Sequence, residues 1–156
     1  MKPGMGRGTI LTVTLRCPDG TDAAAIARLV RELGYTATAG EVTERLAIML
    51  ADDRYLLLVA VDPNGGLVGL INAERRLNIE SGVSFEITGL VVSAGARRLG
   101  VGTALVAAAE RWAVAQRASQ LRVRSNIVRA EAHGFYAQCG YVIQKTQHCY
   151  AKSMLD

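Results

Sequence analysis

Two glycines, Gly100 and Gly102, stand where an apolar strand gives way to a helix. The run "VSFEITGLVV" ends at Val92, and "GVGTALVAAAERWAVAQ" then shows apolar residues at helical spacing. Glycine destabilises a helix relative to alanine by about 0.5–1 kcal/mol, so the pair serves something other than the helix. A helix start presents unpaired N–H groups and a partial positive charge, and glycines let oxygen atoms approach them closely. The pattern therefore predicts an anion site suited to phosphate.

Three phosphate-binding patterns place glycines before a helix, and only one of them fits this segment. The dinucleotide pattern GxGxxG fails because Leu105 occupies the third glycine position. The P-loop pattern GxxxxGK[ST] fails because Val101 replaces the lysine. The pattern [QR]-x-x-G-x-[GA] is matched at every position by residues 97–102. For the glycine pair taken alone, a simple tight turn is the alternative.

Segments on either side of the glycine pair carry a resemblance to a known family. "EITGLVV" precedes the pair, and "RSNIVRAEAHGFYAQCGY" follows it and resembles a second cofactor motif, Asn…Ala-x-x-FYxxxG[FY]. The closing segment "KTQHCYAKSML" resembles the ending of many small bacterial members. The chain thus resembles the GNAT superfamily of acetyl-CoA-dependent N-acetyltransferases. This resemblance implies acetyl-CoA as the co-substrate.

The order of the predicted elements indicates one mixed sheet. Apolar periodicity gives β, α, α, β, β, β, α, β, α, β, β, from a strand at residues 9–16 to two short strands within residues 141–155. Asp22 is expected to cap the first helix. The order predicts an α/β (mixed α+β) fold with helices on both faces of the sheet. The resemblance implies a GNAT-like twisted sheet that splays between its fourth and fifth strands. Residues 1–8 are expected to form a flexible tail, and residues 9–156 a single N-acetyltransferase domain.

The resemblance assigns two stretches of backbone to acetyl-CoA. A bulge at Gly89 would leave backbone groups of the fourth strand unpaired, so that the pantetheine amides complete the ladder there. The backbone that follows would cradle the pyrophosphate, with Arg98 open to a simpler role as a solvated arginine. Asn126 would contact pantetheine or cap a helix, and Arg129 would reach the 3′-phosphate or lie in solvent. The expected cofactor-binding residues are Leu90, Val91, Val92, Arg97, Arg98, Leu99, Gly100, Val101, Gly102, Thr103, Asn126 and Tyr136.

Glu86 is the candidate catalytic base. The reaction needs a neutral amine, whereas a free alkylamine has a pKa of about 10, so a base or a water that it orders must take the proton. Glu86 is an acid within an otherwise apolar strand, where burial disfavours the charged form of a carboxylate. It also stands eleven residues before Arg97, a separation found in the histone-acetyltransferase branch of the family. A salt-bridged glutamate is the structural alternative, and Glu80 is a weaker candidate base.

Tyr136 is the candidate partner of the leaving thiolate. In "FYAQCGY" it stands where the family places a tyrosine that protonates or hydrogen-bonds the departing coenzyme A. A tyrosine that only packs is the alternative. A backbone N–H near Val91 can stabilise the developing oxyanion, and positioning of the reactants contributes as well. We therefore expect Glu86→Gln and Tyr136→Phe to slow the reaction without abolishing it.

Positive charge is concentrated in one part of the chain. The net charge is +4, yet residues 97–129 hold seven arginines and one acid. A small polyanionic ligand explains this better than nucleic acid, because the rest of the chain is slightly acidic and lacks a lysine-rich run. No apolar run approaches the ~20 residues of a membrane span, so no membrane partner is expected. The three cysteines lack ligand spacing, so we expect a reduced cytoplasmic protein without a metal site.

Together these features predict an N-acetyltransferase that moves an acetyl group from acetyl-CoA to a primary amine of a small molecule, peptide or protein. The predicted route is direct attack in a ternary complex. A non-catalytic acyl-CoA-binding sensor of the same fold is the alternative. The acceptor and the range of acyl groups stay open, as does the oligomeric state, for which a homodimer is one option. A cationic acceptor or a solvated helix face would explain the acids Glu41, Glu44, Asp52 and Asp53.

Overall fold

The structure is a computed structural model that describes residues 10–125, 127 and 130–155. The strands are β1 (Thr14–Arg16), β2 (Tyr55–Val61), β3 (Leu67–Asn78), β4 (Gly82–Val92) and β5 (Arg122–Val123). The helices are α1 (Ala23–Glu32), α2 (Ala39–Leu50), α3 (Val101–Ala115) and α4 (Ala130–Gln138). The chain divides into two compact units after Arg124, and α4 lies in the second unit. No described helix combines the length and the apolar character that crossing a membrane requires.

The strands form one mixed sheet in the order β1-β2-β3-β4-β5. Neighbouring strands are antiparallel, except that β4 and β5 run parallel. The turn between β2 and β3 follows from "DPNGG", in which the Gly65 N–H donates to the Asp62 carbonyl at 3.0 Å. Because parallel strands need a crossover, α3 connects β4 to β5 on one face of the sheet. The predicted mixed sheet is confirmed.

Helices cover both faces of this sheet, as the sequence predicts. α1 and α2 pack on the face that carries Leu57, Val59 and Leu70. α3 packs on the opposite face, where a Cβ on Gly69 would lie 2.9 Å from Leu105 Cδ1. Glycine at this position therefore lets α3 approach the sheet closely.

Gly69 also links the end of β4 to the start of α3. It pairs with Val92, the last residue of β4. The position of its missing Cβ lies 3.1 Å from Val101 Cγ1, at the first residue of α3. The strand end and the helix start are therefore adjacent, which is the arrangement that the predicted anion site requires.

Asp22 has a different role from the one predicted. It makes no side-chain cap to α1, and a short 3-10 turn capped by Asp19 precedes the helix instead. The buried Asp22 carboxylate accepts two hydrogen bonds from Arg16 of β1, at 2.8 and 2.9 Å. These charge-assisted bonds are stronger than an ordinary cap, and they hold the pKa of Asp22 below its usual range.

Both ends of the described chain hold less strand than the sequence predicts. β1 begins at Thr14 rather than at residue 9. Residues 141–155 are all described and contain no strand, so the two predicted strands there are wrong. A strand needs a neighbour that completes its hydrogen bonds and covers one face. Most apolar side chains of this segment are exposed, with Val142 and Ile143 84% and 82% exposed.

Candidate active site

β4 contains a bulge at the position that the sequence predicts. Asn72 of β3 faces Gly89, and Ala73 faces Ile87, so Thr88 is the extra residue of β4. The Asn72 side chain donates from Nδ2 to Thr88 Oγ1 at 2.7 Å. A Cβ on Gly89 would overlap Asn72 Oδ1, so glycine is needed here on steric grounds.

β4 and β5 separate at this bulge. The two strands pair at Glu86 with Arg122 and at Ile87 with Val123, and no further pair forms among the described residues. From Thr88 onward, the outer edge of β4 therefore has no neighbouring strand within the described chain. This is the splay between the fourth and fifth strands that the resemblance implies.

The open edge of β4 presents the backbone of Leu90 and Val92. Ser93 donates its N–H to Val68 on the β3 side at 2.8 Å, and successive residues of a strand turn their backbone groups to opposite edges. Leu90 and Val92 therefore face the open side. The Val92 carbonyl accepts Arg97 Nε at 3.4 Å. Within the part of the chain that the structure describes, no strand pairs with the Val92 N–H or with the backbone groups of Leu90.

Val91 differs from its two neighbours. By the same alternation, its backbone groups turn toward β3, where it pairs with Leu70. Its side chain is buried in the core beneath α1 and α2. The structure therefore does not bring Val91 to the open edge with Leu90 and Val92.

The loop before α3 contains two left-handed residues. Arg98 has a φ of 61° and Gly100 a φ of 84°. Left-handed residues in a turn draw successive N–H groups into a concave anion site. No side chain caps the helix at Gly100, and the N–H groups at such a helix start are of the kind that bind anions.

Residues 97–99 of this loop contact other parts of the chain or face solvent. Arg97 lies 4.0 Å from the Glu32 carboxylate, and Arg98 is exposed. The Leu99 carbonyl accepts the Leu11 N–H at 2.9 Å. The groups that this loop offers to an anion are therefore chiefly backbone N–H groups.

Glu86 is buried and held by two arginines. Its side chain is 9% exposed, with Oε2 at 3.0 Å from Arg76 Nη1 and Oε1 at 2.8 Å from Arg124 Nε. Arg76 also contacts Glu74, with Nε at 3.1 Å from Oε2. The salt-bridged alternative thus describes the geometry of Glu86. Glu86 also lies one residue before Ile87, the last position at which β4 pairs with β5.

Arg76 and Arg124 are site residues that the sequence analysis does not single out. Arg76 lies two residues from Glu74, which pairs with Glu86 across the strands, and side chains two residues apart share a face. This spacing predicts that Arg76 lies near Glu86, but only once the register of the β3–β4 hairpin is known. Arg124 depends on the parallel register of β4 and β5, which no local pattern in the sequence specifies.

A cavity of about 240 Å³ opens where β4 and β5 separate, lined by Arg76, Glu86, Ile87, Thr88 and Arg124. The bulge, the splay and the buried acid therefore meet at one place, beside the open edge of β4. An extended ligand can pair with such an edge. A carboxylate at the same place can orient or deprotonate a second reactant.

A comparison with known protein families decides the assignment. The family model described as the Acetyltransferase (GNAT) family matches residues 24–141. The chain belongs to the GNAT family. Acetyl-CoA is accordingly its co-substrate, and acetyl transfer to an amine is the chemistry that family membership supports.

Similar GNAT proteins include several aminoglycoside acetyltransferases. This chain is 29% identical over 132 residues to aminoglycoside N(6')-acetyltransferase type 1 of Stenotrophomonas maltophilia, across 82% of this chain and 85% of the relative. Its fold matches that of AAC(6')-IG from Acinetobacter haemolyticus with a TM-score of 0.78 and 17% identity, across 90% of this chain and 99% of the other. The CoA complex of AAC(6')-Iy gives a TM-score of 0.81 at 18% identity, with 95% and 98% covered.

Tyr136, from the second GNAT motif, lies on α4 in the second unit. It is half-buried, and its ring centroid lies 5.2 Å from that of Phe135 and 5.8 Å from that of Tyr141. The Tyr141 N–H donates to the Tyr136 carbonyl at 2.9 Å. Two other residues singled out in this motif region, Asn126 and Arg129, lie outside the described residues.

Three of the four acids that hint at a cationic acceptor make local contacts instead. Glu41 accepts a backbone N–H at 2.9 Å in the capping box of α2. Asp52 accepts hydrogen bonds from Arg54, which lower the pKa of its carboxyl. Asp53 lies 3.8 Å from Arg75. These contacts weaken the case for a cationic acceptor built on those acids.

Proposed function

We propose that this GNAT protein transfers the acetyl group of acetyl-CoA to a primary amine of a small molecule, peptide or protein, by direct attack in a ternary complex. The observation that carries the proposal is the place of Glu86, a buried carboxylate at the point where β4 and β5 separate. A nucleophile ordered by this carboxylate would meet a thioester that extends along the open edge of β4.

Backbone groups of this chain would hold acetyl-CoA. The pyrophosphate would bind the N–H groups of residues 101–103, where the left-handed Gly100 and the uncapped start of α3 fit an anion. The two pantetheine amides would bind Leu90 and the Val92 N–H, in the manner of a short added strand. When bound, acetyl-CoA supplies an activated acetyl thioester.

Arg97 would act as a positioning residue for this binding surface. Its contacts with the Val92 carbonyl and with Glu32 tie the loop before α3 to the end of β4 and to α1. The fixed loop would keep the N–H groups of residues 101–103 aimed at the pyrophosphate. Arg98, which is exposed, fits the simpler role of a solvated arginine.

Glu86 would orient the amine and accept its proton. Each carboxylate oxygen contacts one guanidinium group and keeps further lone-pair capacity. The carboxylate can therefore accept a hydrogen bond from the amine, or from a water between them, and take the proton as the amine attacks. Alignment of amine and thioester would contribute several kcal/mol in addition.

Tyr136 would hydrogen-bond or protonate the departing thiolate. The match of "FYAQCGY" to the second family motif supports this role. A proton supplied at this step would make coenzyme A a better leaving group.

The relative from Stenotrophomonas maltophilia supports aminoglycoside amines as one class of acceptor, because it is named as an aminoglycoside N(6')-acetyltransferase. The chemistry derived above needs only a primary amine. Amino acids, polyamines, peptide N-termini and protein lysines meet that need equally, so a test must include all of these classes.

A coenzyme A release assay over these amine classes tests the proposal. We expect turnover with at least one class. Glu86→Gln should lower kcat by about 10²-fold, at the low end of general acid–base contributions, while the KM for acetyl-CoA stays unchanged. The matched control is Glu80→Gln, since Glu80 is an exposed acid in the turn between β3 and β4.

Two results would count against the proposal. Acetyl-CoA binding without turnover of any amine would favour the non-catalytic acyl-CoA sensor. Equal kcat for the wild-type protein and Glu86→Gln would remove Glu86 from the reaction, even if turnover itself is observed.

A further inference from the structure

The cavity beside Glu86 holds more hydrogen-bond donors than its acids can accept. Arg76 directs Nε to Glu74 and Nη1 to Glu86, and Arg124 directs Nε to Glu86. A guanidinium group has five N–H donors. The contacts seen in the structure use Nε and Nη1 of Arg76 and Nε of Arg124, and each guanidinium group carries further N–H donors that an incoming ligand can use.

The negatively and positively charged side chains lie at different depths in this cavity. The Glu86 side chain is 9% exposed, whereas those of Arg76 and Arg124 are 40% and 76% exposed. The carboxylate therefore lies at the bottom, and the guanidinium groups line the open side. A molecule that enters meets cationic donors first and the carboxylate second.

We propose that the amine acceptor also carries an oxyanion, a carboxylate or a phosphate, which Arg124 and Arg76 bind while the amine lies toward Glu86. This inference rests on the proposed function, and it names the substrate class of the same site. Planar guanidinium groups match the geometry of carboxylate and phosphate oxygens through paired hydrogen bonds. A polycationic amine would instead meet two like charges at the entrance.

The closeness of the two arginines to Glu86 sets how far the two groups of the acceptor are separated. Arg124 and Arg76 both contact the same carboxylate, within 2.8 and 3.0 Å. An acceptor that reaches both the arginines and Glu86 therefore needs only a few bonds between its amine and its oxyanion.

Matched pairs of amines test the inference, because each pair differs in one anionic group. β-Alanine and β-alaninamide form the carboxylate pair, and phosphoethanolamine and ethanolamine form the phosphate pair. We expect the wild-type protein to favour the anionic member of at least one pair by about tenfold or more in kcat/KM, as charge-assisted hydrogen bonds allow. The pair with the larger ratio identifies the oxyanion as carboxylate or phosphate.

Variants of Arg124 assign the preference to the cavity. Arg124→Gln should bring the ratio within a pair toward one, and Arg124→Lys should keep part of it because the charge remains. Arg122→Gln is the matched control, since Arg122 lies two residues before Arg124, in β5, and directs Nε to Gln120. The ratio is the readout because loss of Arg124 also disturbs Glu86 and slows both members of a pair.

The outcomes separate this inference from the proposed function. Turnover of amines with equal kcat/KM within both pairs overturns the inference alone, as does a preference that Arg124→Gln leaves intact. If no amine is acetylated at all, the proposed function fails. Anion recognition is then measured by calorimetry of β-alanine and phosphoethanolamine with the CoA-saturated protein, and absence of binding by both overturns the inference as well.

Discussion

The two halves of β4 differ in which strands pair with them and in which chemical groups they present to a ligand. The first half, residues 82–87, pairs with β3 and, at Glu86 and Ile87, also with β5, and its candidate functional group is the Glu86 side chain between two arginines. The second half, residues 89–92, pairs with β3 alone and offers backbone groups along its free edge. The change occurs at Thr88, the extra residue of the bulge.

This difference separates two kinds of recognition along one strand. Backbone groups present the same donors and acceptors whatever the side chains are, so the second half suits a ligand of constant structure such as acetyl-CoA. Side chains change with the sequence, so the first half suits the acceptor, which differs among acetyltransferases. In the proposed reaction, the bulge would hold the two halves at a fixed spacing and thereby set where amine and thioester meet.

A change at the bulge is the strongest way to break this arrangement. Gly89→Ala puts a Cβ onto Asn72 Oδ1, so either the Asn72 side chain leaves its hydrogen bond with Thr88 or the bulge shifts. We expect acetyl transfer to fall by about 10²-fold, because a displacement of about 1 Å at a reacting centre can cost that much. The free energy of unfolding should fall by about 1–3 kcal/mol, as for other overpacked sites. Coenzyme A release and urea unfolding measure the two effects.

Two further variants check the cause of that loss. Gly20→Ala is the control, since no atom lies within 4 Å of its Cβ position. Combining Gly89→Ala with Asn72→Ala removes the overlapping side chain and should restore part of the stability. If the double variant is no more stable than Gly89→Ala, the steric account of the bulge is wrong.

A contribution from outside β4 is tested by Tyr136→Phe. Removal of the hydroxyl should lower kcat by about 10–10²-fold with an unchanged KM for acetyl-CoA, because only protonation of the leaving thiolate is lost. Tyr150→Phe is the control in the same unit, since Tyr150 is 90% exposed. If kcat is unchanged in Tyr136→Phe, the Tyr136 hydroxyl takes no part in the reaction, and the side chain has only a packing role.

A pair of glycine variants tests whether the backbone N–H groups before α3 contribute to acetyl-CoA binding. Gly100 and Gly65 have nearly the same φ, 84° and 87°, so Ala at either position is strained by about 1–2 kcal/mol. Only Gly100→Ala should weaken acetyl-CoA binding, by about fivefold, because Gly100 shapes the N–H groups before α3. Calorimetry of acetyl-CoA with both variants measures this. Equal affinities of the two variants for acetyl-CoA would mean that the loop before α3 does not contribute to cofactor binding.

The smallest effect on activity is expected from Asp22→Asn, which tests an ion pair remote from β4. Arg16 depresses the pKa of Asp22 in the folded protein, so the stabilisation is present above the unfolded value of about 3.9 and is lost as pH falls through the lower folded value. Because Arg16 is 40% exposed, we expect the variant to lose only about 1 kcal/mol at pH 7. Urea unfolding at pH 7 and near pH 3 should show this difference shrink, while acetyl transfer at pH 7 stays unchanged. A kcat that falls as far as in Glu86→Gln would refute the distinction between the two ion pairs.

The sequence predicts the elements that local patterns specify. A helix and a strand form at residues 39–50 and 55–61, where the sequence carries a capping box and a continuous apolar run. The bulge at Gly89 and the loop before α3 are found at the predicted positions as well. The helix, the strand and the loop depend on residues close together in the chain, whereas the position of the bulge comes from the family resemblance.

Features that depend on distant residues were not predicted. Glu86 meets Arg76 and Arg124 only after β3, β4 and β5 have taken their register. Asp22 was assigned to a helix cap because its pairing with Arg16 of β1 has no local signal. The strands expected within residues 141–155 rested on apolar alternation alone, which does not provide a pairing partner.

A crystal structure of the acetyl-CoA complex tests the central claim most directly. That claim is that the backbone of this chain aims the thioester into the split between β4 and β5, beside Glu86. The account predicts pyrophosphate oxygens within hydrogen-bond distance of the N–H groups of residues 101–103, pantetheine amides on Leu90 and Val92, and the acetyl group next to the Glu86 cavity. Acetyl-CoA bound elsewhere, with this loop and strand edge free of ligand, would contradict it.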